Sequence, residues 1–391
     1  MKSEKTFYLL VFASALTLFA CNQTPTQPAD NIVAAPAAPV KPEIILYATG
    51  VDKLNLREQP SKDGKIITQI AEGRFLRGTG EVSTNKEEAT LRNIPYNEPY
   101  IRVSTGQQPG WAYGGALIPV YAGSLAGIPD TNQLQQLTGF LKTLNTKKLE
   151  SGKQAWAFTE KTFGNTSGVT ADAALILLER FFRRLEVEGE FYTLTEKLNW
   201  TPEDYQAISE DKFDMTKYPL TVSLKENGFR LEEGEGMVFP VADWSKLQAF
   251  FGSKTTPAMR SFIDQNTAEQ IEKPWDDGGI IIPLEKLADR AAYWEKFNRE
   301  NPYFPLNEET GESERWMRLV LMNGSDNTPT FEYETQAITA DFKNVWTYIL
   351  QKYPGTDLAK TTKEISDLCA ADGWKRTKKV EEWQTKYAER N

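Results

Sequence analysis

The sequence predicts a multidomain chain, a small all-β module followed by a helix-rich α+β region. Three observations carry that expectation. Residues 44–120 hold short apolar stretches separated by Gly, Pro and Asp turn signals. Residues 121–391 place apolar side chains at spacings of three and four, some behind Thr-Pro helix starts. No regular alternation of strand and helix runs through that second region, which argues against a doubly wound parallel sheet. There is no repeat of fixed period.

The chain opens MKSEKTFYLLVFASALTLFACNQ, with Lys2 and Lys5 ahead of an almost unbroken apolar run from Phe7 to Ala20. That run is shorter than the about 20 residues needed to cross a bilayer, and it fits the apolar stretch of a secretory signal. It stops at Leu18-Phe19-Ala20-Cys21, which resembles a bacterial lipobox. The resemblance implies a lipoprotein signal peptide over residues 1–20 and acylation of Cys21, by palmitate-type chains, as the new N-terminus. An ordinary signal with an incidental Cys is the alternative. Two or more acyl chains anchor stably, so the expected membrane partner is reached through lipid at Cys21. Asn22 is not the Asp that resembles an inner-membrane retention signal, which favours a periplasm-facing outer-membrane location in a bacterial cell envelope. Residues 21–43 hold the Cys and a Pro/Ala-rich stretch without aromatics, read as a disordered tether.

In residues 44–120, Ile44-Ile45-Leu46-Tyr47 leads, followed by Leu54-Asn55-Leu56-Arg57 with both leucines on one face. Pro60 and Asp63-Gly64 mark a turn. Ile66 to Ile70, Phe75-Leu76, Tyr100-Ile101-Arg102-Val103 and Gly110-Trp111-Ala112-Tyr113 follow, giving short strands that suit a small barrel. The order Leu-Asn-Leu-Arg-x-x-Pro-Ser, an apolar strand ending before Glu72-Gly73, then Gly-Trp-Ala before Leu117, resembles the bacterial Src-homology-3-like domain. The resemblance covers about 75 residues and implies an SH3-like barrel in an exported protein, with cell-wall peptides or targeting as its business. Residues 82–99 depart from it, replacing a tight loop with a longer polar stretch. Tyr47, Tyr96, Tyr100, Trp111 and Tyr113 form a candidate aromatic ligand groove, or else fill the barrel core.

In residues 121–391, Thr131 is placed to cap a helix with Leu134, Leu137, Leu141 and Leu144 on one face. A second helix runs from Thr170 to near Gly189, presenting Leu175, Leu178, Phe182 and Leu185. Thr201-Pro202 and Thr256-Pro257 start two more. Leu220 to Leu224 and Phe229 to Leu231 read as strands around an Asn227-Gly228 hairpin. Met237 to Phe239, Ile280 to Ile282 and Leu319 to Met322 read as further strands. Helices are expected over 284–297 and from Thr339 and Asp357 onward. Residues 130–216 form a possible helical sub-region. The aromatic side chains Trp244, Phe250, Phe251, Trp294, Phe297, Trp316 and Trp346 read mainly as core.

The chain has no His, which excludes Ser-His-Asp and Cys-His catalysis and His-ligated zinc. If Cys21 is lipidated, Cys369 is the one remaining thiol, and its helical spacing with Ile365 and Leu368 reads as burial. Net charge is −9, carried by residues 121–391 with 33 basic against 43 acidic side chains. No basic face exists for nucleic acid. Asp276-Asp277 before Gly278-Gly279 is the leading carboxylate pair, readable as hydrolase acids or as turn chemistry. Asn323 to Asn327 is an oxygen-rich loop, readable as a cation loop or as a plain connection. No metal, cofactor or catalytic residue is assigned. The expected function is non-catalytic binding or scaffolding at the envelope, of peptidoglycan or an envelope protein. The alternatives are a carboxylate-dependent hydrolase of wall glycan, with Asp276 in it, and a purely structural lipoprotein.

Overall fold

The computed structural model describes residues 41–106 and 108–390. The apolar run, Cys21 and most of the tether lie outside the described residues. Residues 44–123 build one antiparallel sheet from β1 (Ile44–Thr49), β2 (Leu54–Arg57), β3 (Ile66–Ile70), β4 (Phe75–Leu91), β5 (Ile94–Ser104), β6 (Pro109–Tyr113) and β7 (Leu117–Gly123). The strand order is β3-β2-β6-β5-β4-β1-β7. The inward face is made by alternate residues, as a pleated strand requires. Leu54, Leu56, Ile70, Leu76, Tyr100, Val103 and Ala112 close on one another as the sheet's own core. Gly110 lets that core close, because a Cβ there would stand 2.6 Å from Leu56 Cγ.

The insertion at 82–99 is the outer half of the β4–β5 hairpin, paired from Lys86↔Pro99 to Leu91↔Ile94. Its two-residue turn, Arg92-Asn93, has both residues at positive φ, the geometry that matches strand twist. Asn takes that conformation readily and Arg does not. Arg92 compensates through its side chain, which donates to the Gly50 carbonyl at 3.1 Å and pairs with Glu72 at 2.7 Å and Glu188 at 3.2 Å.

The remaining chain is helical: α1 (Thr131–Leu141), α2 (Glu150–Phe163), α3 (Val169–Gly189), α4 (Tyr192–Thr195), α5 (Pro202–Ser209) and α6 (Pro219–Glu226) come first. A hairpin of β8 (Phe229–Gly234) and β9 (Met237–Ala242) leads to α7 (Trp244–Phe251) and α8 (Pro257–Ile271). The short pair β10 (Trp275–Asp276) and β11 (Gly279–Ile280) precedes α9 (Leu284–Glu300), α10 (Asn307–Asn323), α11 (Ala340–Lys352), α12 (Asp357–Ala371) and α13 (Lys378–Arg390). The coarse expectation, an antiparallel β region followed by a helix-rich one, holds. The first half of α3 is buried on every side, from Ala171 to Leu178, as expected of a central helix. Thr201 caps α5 in a reciprocal capping box with Asp204, and Thr256 caps α8.

Five local expectations are corrected. Asp130, not Thr131, caps α1, accepting from the Asn132 and Gln133 amides. Leu220 to Leu224 is helix: Pro219 presets the first turn, and Thr221 and Leu224 bury one face three residues apart. Asn227-Gly228 therefore ends a helix, with Gly228 at φ +88°, and makes no hairpin. A Cβ on Gly228 would run into the Trp156 ring. Leu319 to Met322 lies within α10, since four apolar residues fit a buried helix as well as a strand. Of Ile280 to Ile282, only Ile280 is paired, opposite Trp275.

The sheet is not a separate bead. Along β1, Ile44, Leu46 and Ala48 enter the core shared with the helices, while Tyr47 points into the sheet's own core. The Glu72-Gly73 turn is pinned to α1, where Thr138 Oγ1 and Gln135 Nε2 donate to the Gly73 carbonyl at 2.9 and 3.0 Å. Glu72 is held by Arg184 of α3 at 2.8 Å, and Glu188 takes Arg184 at 3.2 Å and Arg92.

Candidate functional site

The aromatic set expected to line a groove does not assemble as one surface. Tyr47, Tyr100 and Tyr113 are buried in the sheet's core. Tyr100 and Tyr113 meet edge to face, 5.6 Å between centroids. Their hydroxyls are used internally: Tyr113 donates to the Glu87 carbonyl at 2.6 Å, and Tyr100 to the Glu87 carboxylate at 3.2 Å. Burial and that carboxylate push the Tyr100 phenol up to about 12. Tyr96, carried by the insertion, lies against Gly115 close to Tyr113. The hairpin thus covers the face that the sequence offers as a groove. Trp111 is different. It is half-buried, opposite Arg57 on β2 and Arg102 on β5, with the Arg102 guanidinium 6.0 Å from its ring centre. Neither Trp111 nor Tyr113 belongs to the core shared with the helices, the placement that would favour a purely structural barrel.

The Asp276-Asp277 pair is turn chemistry. Asp277 and Gly278 occupy a two-residue turn, both at positive φ, between the paired Asp276 and Gly279. Asp276 is held by Lys273 at 3.1 Å. The loop 323–327 docks on this turn: the Asn327 amide donates to the Gly278 carbonyl at 3.0 Å, and its side chain donates to the Asp277 carbonyl. Among the described residues, no group of three or more Cys, Asp or Glu could hold a metal ion. Cys369 is fully buried, and that burial pushes its thiol up to about 12.

A concave site lies elsewhere, in a cavity of about 350 Å³ among α3, the β8–β9 hairpin, α7, α8 and α10. Helix α3 supplies Glu179, Arg183 and Glu186, which share one face at spacings of four and three. Glu232 enters from β8, Glu309 and Glu312 from α10, and Trp244 and Phe262 give the apolar wall. The wall at the end of β9 is fixed by hydrogen bonds. Glu186 Oε1 accepts from the Ala242 amide at 2.5 Å, while Gln270 donates to the Ala242 carbonyl and accepts from the Trp244 amide, both at 2.9 Å.

Burial pushes the Glu186 carboxyl up to about 7, with Glu179 and Glu232 adding to it and the Ala242 amide and Arg183 opposing it. Burial also raises Glu232, and Glu269 behind the cavity, where it accepts from Trp294 Nε1 at 2.9 Å. The acidic character reaches the insertion: burial first, then Glu308, raises Glu98. The cavity's glutamates are scattered over residues 179–312, so no local motif displays them. The one sequence signal is the Glu179, Arg183 and Glu186 stripe in the second half of α3, which follows the apolar run from Ala173 to Leu178.

Among the described residues, no helix is long and apolar enough to cross a membrane. Compared with known proteins, the chain matches no family model, no curated protein and no solved structure.

Proposed function

We propose that this chain is a cell-envelope lipoprotein, anchored by lipid at Cys21, whose N-terminal sheet is an SH3-like barrel that binds or scaffolds peptidoglycan or another envelope protein without catalysis. One observation carries the reading. The motif residues Leu54, Leu56, Glu72-Gly73, Gly110 and Ala112 all belong to one antiparallel sheet, the apolar ones as its core and Glu72-Gly73 as its fixed turn. Their order is therefore structural order, as the resemblance implies. Trp111, half-exposed between two arginines, is the side chain left free to stack on a ligand. An anchor on the outer membrane, facing the periplasm, fits the lipobox-like start and Asn22.

The test uses the full chain, because removing residues 44–120 would strip Ile44, Leu46 and Ala48 from the shared core. Retention on purified peptidoglycan is compared for wild type and Trp111→Ala. A loss of about tenfold, the equivalent of 1.4 kcal/mol, is expected with unfolding midpoints unchanged. Equal retention of both removes the sheet as the wall-binding element. Cys21→Ser should move the protein from the membrane fraction to the soluble one.

The hydrolase alternative shifts to Glu186 and Glu232, which face one cavity and have their carboxyls raised by burial, as a general acid requires. Release of reducing ends from wall glycan, abolished by Glu186→Gln, decides it.

A further inference from the structure

We propose that the cavity between α3, β8–β9 and α10 is a second binding site, specific for an organic cation: an ammonium or guanidinium group carried on an apolar stem. This goes beyond the envelope reading and does not depend on the sheet.

Charge gives the first argument. Five carboxylates line the cavity, from Glu179, Glu186, Glu232, Glu309 and Glu312, against the single guanidinium of Arg183. Arg183 is spent on Glu179, at 3.2 Å, and its side chain is about half exposed. Glu309 is paired with Arg180. Glu186, Glu232 and Glu312 form no ion pair among the described residues. Carboxylates gathered in a half-enclosed space with fewer cations than acids raise one another's energy, and a bound cation relieves that repulsion.

A buried oxygen without a hydrogen bond gives the second and independent argument. Glu179 is 8 % exposed, and its Oε2 accepts no hydrogen bond. The nearest guanidinium nitrogen, Arg180 Nη1, stands at 3.6 Å, too far to hydrogen-bond. A buried anionic oxygen with no hydrogen-bond donor is costly, the Arg180 pair at 3.6 Å offsets only part of that cost, and a cation held beside Glu179 offsets more of it.

The walls select the kind of cation. The donor set lacks a three-residue metal-holding arrangement among the described residues, so a small inorganic ion finds no cage. Trp244 and Phe262 instead offer aromatic surface to an alkyl or aryl stem and to the cation itself. A volume of about 350 Å³ lies at the small end of ligand sites and suits an amine of a few carbons or one extended basic side chain.

The experiment is calorimetric titration of the folded chain at low salt with three probes. They are 1,5-diaminopentane, the neutral isostere 1,5-pentanediol, and a short peptide bearing one lysine between uncharged residues. Binding of the diamine with no binding of the diol is expected, and the peptide arm tells a free amine from a side-chain amine. Glu186→Gln and Glu179→Gln, each checked for an intact unfolding transition, should weaken the bound amine by about tenfold or more. Binding of neither amine, equal binding of diamine and diol, or amine affinity unchanged in both variants overturns the proposal.

Discussion

The Glu186 carboxyl offers a perturbation whose size follows from its surroundings. Its ordinary value of 4.5 is raised to about 7, chiefly by burial. At about 1.36 kcal/mol per unit, a shift of that size corresponds to at most about 3 kcal/mol. Glu186 is only half-buried, and solvent screening reduces the expectation to about 2 kcal/mol. A carboxyl raised on folding supports the native state while protonated, so its contribution is complete below pH 4.5. It is lost as pH climbs through about 7, where the charged form must be held beside Glu179 and Glu232, with Arg183 as partial compensation.

Glu186→Gln removes the charge and keeps an oxygen to accept from the Ala242 amide. The variant should match wild type near pH 4.5 and exceed it by about 2 kcal/mol at pH 8, a rise of a few degrees in melting temperature. Denaturant unfolding of both proteins at pH 4.5, 6 and 8 measures this. A variant that follows the wild-type pH slope, or that is less stable at pH 8, refutes the electrostatic account. A stability gain joined to loss of amine binding would identify the charge as kept for function at the expense of the fold.

Three further outcomes follow from the packing. Gly228→Ala places a methyl group into the Trp156 ring at a positive φ, and should destabilise by about 2–4 kcal/mol in denaturant unfolding. Arg92→Ala removes the hydrogen bond to Gly50 and the pairs to Glu72 and Glu188, leaving Arg184 alone between two part-buried carboxylates. A loss of about 2 kcal/mol is expected, with hydrogen exchange rising first at the 82–99 hairpin, and unchanged protection there contradicts it. Cys369, fully buried with its thiol raised to about 12, should resist a thiol reagent at pH 8 until the chain unfolds, so native-state labelling within minutes counts against its placement.

What was legible in the sequence was what depends on neighbours along the chain. The Thr201 and Thr256 caps, the apolar face of α3 and the inward leucines of β2 are local signals, and each appears where its pattern puts it. Ambiguity entered where two periods fit the same letters. Leu-Thr-Val-Ser-Leu at 220–224 alternates like a strand, yet its Pro219 start and the burial of Thr221 and Leu224, three residues apart, decide for helix. The Arg92-Asn93 turn was illegible because Arg is a poor residue for it, and the ion pairs that stabilise it come from residues 72 and 188. The cavity was illegible for a related reason: its acids lie on different elements, and only folding brings them to one space.

One feature of β1 settles how the two regions relate, and it was present in the letters. A strand exposed on one face alternates, whereas Ile44-Ile45-Leu46-Tyr47 is an unbroken apolar run, the pattern of a strand covered on both sides. Its two faces serve two cores, Ile44, Leu46 and Ala48 toward the helices and Tyr47 toward the sheet. An independent barrel would leave the first set in water, at about 1.5–3 kcal/mol for each large side chain. Trp111 accordingly packs on the sheet's own core and not on the core shared with the helices, while α3 lines the acidic cavity. The two regions are joined where β7 and α3 pack directly on each other through the shared core.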